Sequence, residues 1–198
     1  MSSAKAPSGG FEFHPVTPDR WDDLERLFGP RGAYSGCWCM WWRLSRAEFG
    51  RETPEERRAG LKSLVDSGQV PGILAYAGGQ PVGWCSVGRR EDFASLERSR
   101  TLKRADDQPV WSIVCFFVAK SFRGQGLMVG LLEAAIAYAE GQGARIVEGY
   151  PVVAQEGERL APVSSFTGLV SAFRAAGFTD VAQRGARQII MRYLTSEF

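Results

Sequence analysis

The sequence predicts a single mixed α/β domain, and three observations predict it. The 198 residues suit one domain, and an apolar fraction of 44% is enough to fill one core. Strand-like and helix-like runs alternate along the chain with no internal repeat and no linker between them. The most β-prone run, "VWSIVCFFVA", is unbroken and apolar, the pattern of a central strand buried on both faces.

The elements follow in order. "FEFHPV" alternates apolar and polar residues like a short strand. "TPDRWDDLERLFGP" predicts a helix: Thr17 suits the cap, Pro18 the first position, and Trp21, Leu24 and Phe28 share one face before Gly29-Pro30 ends it. "SGCWCMWWR", Ser35 to Arg43, has no clear secondary structure. In "TPEERRAGLKSLVDSG" a helix opens on a Thr53–Glu56 capping box and closes near Gly68. "GILAYAGGQPVGWCSVG" reads as two strands around a turn at Gly78, Gly79 and Gln80. The polar run from Glu91 to Asp107 reads as a surface excursion. After the central strand, a helix runs from near Gly126 to about Gln142. "ARIVEGYPV" is a further strand, "SSFTGLVSAFRAAGF" a helix closed by Gly177, and "TDVAQ" and "RQIIMRYL" two last strands.

Residues 1–10, "MSSAKAPSGG", read as a disordered tail ahead of a domain spanning residues 11–198, with no apolar core of a secretion signal. No apolar run reaches the ~18 residues that span a bilayer. A net charge of +2, with acids interrupting each arginine group, forms no basic stripe and speaks against nucleic acid as the main partner. Four cysteines without a signal suggest a reduced, cytoplasmic protein.

Chemistry is suggested by "AKSFRGQGLM", between the central strand and the next helix. A helix N-terminus offers unpaired N–H groups and partial positive charge to an anion. Gly124 and Gly126 let a phosphate approach the backbone, and Arg123 adds a fixed charge. The loop lacks the Gly-Lys-Ser/Thr ending of a nucleotide-phosphate loop. A plain strand-to-helix turn is the other reading of the same residues.

Arg123-x-x-Gly126, after a strand ending in "FFV" and before an amphipathic helix, resembles the pyrophosphate loop of the GNAT N-acetyltransferases. The order of the other elements is similar to that fold, and "FRAAGF" resembles the family's last helix and its ending. The resemblance covers roughly Phe11 to Leu194. It implies a mixed central sheet whose two parallel strands, here "WSIVCFFVA" and "ARIVEGYPV", splay apart to admit acetyl-CoA between flanking helices. It further implies that the backbone of Phe116, Phe117 and Val118 holds the pantetheine arm. The amides of Arg123, Gly124, Gln125, Gly126, Leu127 and Met128 would cradle the pyrophosphate. The reaction implied is direct attack of a small-molecule amine on the thioester, with no metal and no covalent intermediate. A homodimer is compatible with the resemblance.

The chain departs from the family pattern at three positions. Met128 stands where the family has Gly or Ala. Phe173 stands where many members carry a Tyr that protonates the departing sulfur, and Phe166 where many carry an Asn that contacts the pantetheine. Tyr150 is the substitute acid, ahead of Ser164 and Ser165. Glu148 is the candidate base because its strand borders the splay; the competing reading is an outward-facing strand residue. His14 reads as a surface or satisfied residue, and Cys115, inside an apolar run, as an inert thiol.

Cys37-x-Cys39 lacks a second close pair, so no metal site is expected. Trp38, Trp41 and Trp42 are either core or aromatic walls of the acceptor pocket, with Tyr34 contributing its hydroxyl; both readings can hold within one cluster. The rival to an enzyme is a binding protein of the same fold that holds an acyl-CoA without turning it over.

Overall fold

The computed structural model describes residues 10–154 and 165–195. The expected tail, residues 1–10, lies outside the described residues except for its last position, and so does Ser164. Seven strands form one sheet: β1 (Phe11–Pro15), β2 (Gly72–Ala77), β3 (Gln80–Arg89), β4 (Trp111–Val118), β5 (Ile146–Gly149), β6 (Thr179–Arg184) and β7 (Gln188–Leu194). Six helices accompany them: α1 (Trp21–Phe28), α2 (Arg46–Arg51), α3 (Pro54–Asp66), α4 (Ala94–Glu97), α5 (Leu127–Gly141) and α6 (Val170–Ala175). The strand order is β1-β2-β3-β4-β5-β7-β6, and of the pairings only β4 with β5 is parallel. None of the helices is long and apolar enough to cross a membrane among the described residues.

Local chemistry accounts for most boundaries. Thr53 and Glu56 form the expected reciprocal box at the start of α3. Ser45 and Glu48 form another in front of α2, a helix the hydrophobic pattern gives no sign of. Gly78 and Gly79 take φ of 53° and 74°, and the paired Ala77 and Gln80 close the two-residue hairpin between β2 and β3. Thr17 differs from expectation: no helix amide reaches its side chain, and its hydroxyl donates to Asp19. The last helix is also shorter than its sequence suggests, because residues 165–169 are not helical and α6 begins only at Val170.

The sheet is covered on both faces. One face carries α5 and α6 over Ile113, Phe116, Leu131, Val147 and Phe173. The other face is divided. α1 and α3 cover its β1–β3 half around Leu24, Leu61, Leu74 and Trp84. The excursion containing α4 covers its β4–β7 half, where Phe93, Leu96 and Leu102 pack on Val114, Tyr150 and Ile190. Residues 91–107 are thus a surface excursion, as expected, anchored to the sheet by Phe93, Leu96 and Leu102.

Two irregularities of β4 shape the opening in the sheet. The β3–β4 register runs Ser86 to Cys115 and then Val87 to Ile113, skipping Val114. A bulge of this kind bends the strand and re-aims its side chains. β4 pairs with β5 only through Trp111, Ser112 and Ile113. Beyond Ile113 the two parallel strands part, as the fold class requires.

Candidate active site

Period-two alternation points successive backbone groups of a strand to opposite sides. The Phe116 N–H faces the opening, since it donates to the Phe166 carbonyl at 2.7 Å. Val118 faces the same way, and its carbonyl accepts from Arg123 Nε at 3.0 Å. Phe117, between them, points its backbone toward β3, and its ring packs edge-on against Phe28 at 5.8 Å. Of the three expected cofactor-binding strand residues, two therefore present backbone groups to the opening.

The loop after β4 has the shape an anion needs. Gly124 and Gly126 adopt φ of 75° and 77°, which favours glycine, and a Cβ at either would meet nothing within 4 Å. Arg123, Gly124, Gln125 and Gly126 are exposed. The Gln125 amide donates to the Ser121 carbonyl at 2.8 Å and braces the turn. Leu127 then starts the 15-residue α5, whose first amides lie beyond reach of any intrahelical acceptor. Leu127 itself anchors in the core, and Met128 packs half-buried against the same cluster. The residues present thus fit a pyrophosphate: open backbone, aligned amides and an adjacent guanidinium.

Glu148 and Tyr150 are brought together, on the face of the sheet that the 90–107 excursion covers. Glu148 Oε1 accepts from Arg90 Nη1 at 3.0 Å and from the Tyr150 hydroxyl at 2.7 Å. Its Oε2 accepts from Arg192 Nε at 2.7 Å. Tyr150 also accepts from Arg90 at 2.8 Å and shares a hydrogen bond with Ser112 at 2.8 Å. Arg90 continues to Glu97 at 2.6 Å and the Leu102 carbonyl at 2.6 Å, and Arg192 holds Asp106 in a fork at 2.6 and 3.0 Å. Burial, and then the Glu148 charge, push the Tyr150 phenol well above its ordinary value. Both Glu148 oxygens are thus taken up by donors within the network, and a phenol so shifted is a poor proton donor. The expected base and acid are corrected to members of a buried network that clamps the 90–107 excursion to β5 and β7. The alternative reading of Glu148, an outward-facing residue, fails as well, because its side chain is 1% exposed.

Phe173, at the position of the family's tyrosine, is core. Its ring packs edge-on to Phe116 at 6.0 Å and Phe178 at 4.8 Å, and a Cβ on Gly149 would strike it. His14 lies half-buried on β1 beside Glu12 and Tyr76.

The tryptophan cluster divides three ways. Ala33, Ser35, Trp38 and Cys39 all hold positive φ, between 46° and 68°. Such strain persists only where surroundings over-determine it. Arg57 supplies part of that, donating to the Gly36, Glu52 and Phe49 carbonyls at 2.6, 2.6 and 3.3 Å. Trp38 turns into the core, stacked on Trp21 at 6.3 Å and edge-on to Phe28 at 5.7 Å. Trp41 is partly buried against Phe49, with the Arg46 guanidinium 3.4 Å from its ring centroid. Trp42 is 7% exposed, touches the cluster around Val114, and stacks on Phe166 at 6.4 Å. Tyr34 is 59% exposed.

Sequence reasoning missed the thiol arrangement. Cys39 Sγ accepts from Trp84 Nε1 at 3.1 Å, and Cys37 Sγ accepts from the Cys39 amide at 3.2 Å. The Cys115 thiol bonds to Cys39, which pulls Cys39 below its ordinary value while Cys115 rises well above its own. Among the described residues no group of three or more metal-binding side chains can hold an ion. The buried Arg90 was missed too, since "GRRED" carries nothing to tell a core arginine from a solvated one.

A profile of the acetyltransferase (GNAT) family matches residues 36–156, more than half of the chain. The chain belongs to the GNAT acetyltransferase family, and acetyl transfer is the chemistry of its class. No curated protein sequence matches it. Solved structures share the fold at low identity. An acetyltransferase from Salmonella typhimurium, determined with its cofactor acetyl-CoA, is 14% identical with a TM-score of 0.53, each chain covering 96% of the other. Ribosomal-protein-alanine N-acetyltransferase from Brucella melitensis is 18% identical at a TM-score of 0.51, covering 93% of this chain and 99% of its own. A GNAT acetyltransferase from Streptococcus agalactiae is 11% identical at 0.53, over 95% and 97%.

Proposed function

We propose that this chain transfers an acetyl group from acetyl-CoA to the amine of a small acceptor by direct attack. One observation carries the reading: β4 leaves β5 beyond Ile113 beside a loop whose glycines and helix N-terminus are open to an anion. When bound, acetyl-CoA supplies an activated thioester. The amides from Arg123 to Met128 hold its pyrophosphate, and the backbone edge of Phe116 and Val118 aligns its pantetheine arm. The Phe116 N–H is the donor aimed at the developing oxyanion, a contribution worth about 3 kcal/mol in comparable sites. Glu148 and Tyr150 keep the floor of the acceptor side rigid, and water at the mouth of the opening takes the proton from the amine. Trp41 and Trp42 form the acceptor wall, and the buried face of Trp38 supports it. Free thiols at all four cysteines accord with a reducing, cytoplasmic setting.

The locked state of Glu148 and Tyr150, with Phe173 in the core, favours a second reading, an acyl-CoA-binding sensor without turnover. Mass spectrometry separates the two. The protein is incubated with acetyl-CoA and pooled amino acids, polyamines, aminoglycosides and peptide N-termini. An acceptor heavier by one acetyl group, absent with the Arg123→Ala/Gly126→Glu protein, establishes the transferase. Bound but unconsumed acetyl-CoA establishes the sensor.

A further inference from the structure

We infer that the segment Phe166–Gly168 is a built-in occupant of the cofactor opening, which acetyl-CoA must displace, and that its release uncovers Trp42. The inference rests on the proposed placement of acetyl-CoA between β4 and β5.

The segment already makes the main-chain contacts of an added strand. The Phe166 carbonyl accepts from the Phe116 amide at 2.7 Å on the β4 side. The Gly168 carbonyl accepts from the Val152 amide at 2.9 Å on the β5 side, and Leu169 pairs with Val152 as a parallel bridge. One short stretch therefore spans the gap and uses the backbone donor that the oxyanion would need. An amide has one hydrogen, so the two occupants exclude each other at Phe116.

Side chains hold the stretch in place. The Gly168 amide donates to the Ser165 carbonyl at 2.9 Å, and its φ of 98° favours glycine. A Cβ there would lie 2.6 Å from the Phe173 ring and 3.1 Å from the Phe116 ring, so the seat accepts only a residue without one. The Phe166 ring stacks on Trp42 at 6.4 Å and an interplanar angle of 27°. Trp42 Nε1 is buried with no hydrogen-bond partner. A donor in that state gains by meeting a polar group, and removal of the Phe166 ring gives it one, from water or from an acceptor. Phe166 is thus a positioning residue, joining the cofactor opening to the acceptor wall: acetyl-CoA binds first, and the aromatic wall opens behind it.

The population consequence is direct. A segment seated nine-tenths of the time raises the apparent Kd of its competitor about tenfold. Hydrogen exchange and calorimetry with acetyl-CoA test this on the whole protein. In the wild type, acetyl-CoA should speed exchange at residues 165–169 while the amides of 114–118 stay protected, their partner exchanged for another. Phe166→Ala should bind acetyl-CoA about tenfold more tightly, Phe166→Tyr as the wild type does, and Gly168→Ala tightly again through an unrelated contact. Acrylamide quenching of tryptophan fluorescence should rise on binding, an increment lost in Trp42→Phe. Slower exchange at 165–169 with acetyl-CoA bound, or weaker binding by Phe166→Ala, overturns the inference and leaves the segment as a wall of the bound site. Acetyl-CoA bound by neither wild type nor Phe166→Ala removes the proposed function itself, and binding by Phe166→Ala alone supports both.

Discussion

Arg90 donates to Glu148 at 3.0 Å with both side chains 1% exposed, so the two charges are held together out of water. Removing one partner of such a pair strands the other and costs about 3 kcal/mol or more. Glu148→Gln leaves Arg90 and Arg192 facing a neutral amide. The expected outcome is a melting temperature lowered by roughly 6–12 °C for a chain of this size. Turnover of the folded variant stays within about twofold of wild type, as expected of a side chain that clamps the excursion to the sheet rather than moving a proton. Thermal unfolding by circular dichroism, with turnover measured well below the transition, checks both. A rate lost a hundredfold at unchanged stability would return Glu148 to the role of base.

The pH dependence follows from the same network. An alkyl ammonium titrates near 10, so the neutral fraction of the acceptor rises about tenfold per pH unit between 7 and 9. With Tyr150 pushed well above its ordinary value by burial, its phenol does not bend that line in the range. The kcat/KM for the acceptor should therefore climb steadily, with Tyr150→Phe parallel to wild type. A raised phenol contributes stability that is whole below the unfolded value near 10 and is lost as pH climbs toward the folded one. Alkaline unfolding should accordingly begin above pH ~10 and release Tyr76 and Tyr150 together, read as phenolate absorbance, since Tyr76 is raised by burial and Asp23. A bell-shaped profile centred below pH 9 would sink this account.

The fold was legible because it is written in local chemistry and period. The Thr53 box, the Gly78-Gly79 turn and the apolar β4 each state their own geometry, and the order of elements then leaves few topologies. The loop from Arg123 to Gly126 was legible for the same reason, since left-handed glycines before a helix carry meaning without neighbours. What failed was long-range. Glu148 meets Arg90 across 58 positions and Arg192 across 44, and no window of sequence displays such a pairing. The excursion from Glu91 to Asp107 keeps most of its charges exposed, as its polarity suggests, while Phe93, Leu96 and Leu102 anchor it and Glu97 and Asp106 meet the buried Arg90 and Arg192, contacts that polarity does not display. The α2 helix was missed, because six residues carry too little apolar periodicity to mark it. The unwound 165–169 stretch has an amphipathic pattern like a helix start, and tertiary contacts with Phe116 and Val152 override it.

The thiols supply an independent check on packing. Burial pushes Cys85 well above its ordinary value, and burial with the neighbouring Cys39 charge pushes Cys37 up to about 12. Cys115 is raised as well, chiefly by giving its hydrogen to Cys39. Thiolate is the reactive form, so iodoacetamide at pH 8 should label these three far more slowly in the native protein than in urea, by about a hundredfold or more. Peptide mapping after timed quenching measures it residue by residue. Rapid native labelling of Cys115 would mean that the strand presents its sulfur to solvent and that the reading of an inert thiol is wrong.

Trp38 and Trp41 separate core from wall. Trp38 is packed on Trp21 and Phe28, and truncation to Ala should cost about 3–5 kcal/mol through the cavity left behind. Trp41 is partly buried, and its main partner, Arg46, is a cation whose stacking near the surface is worth about 0.5–1 kcal/mol. Trp41→Ala should leave stability within about 2 kcal/mol and the acetyl-CoA KM unchanged, while the acceptor KM rises several-fold. The Arg46 guanidinium already occupies the face on which a cationic acceptor would stack, so Arg46→Ala should lower the KM of a cationic acceptor where Trp41→Ala raises it. Steady-state kinetics on the two variants, with each substrate varied in turn, read the opposition directly. Equal KM changes for both substrates in Trp41→Ala, together with a lowered melting temperature, would place the whole cluster in the core.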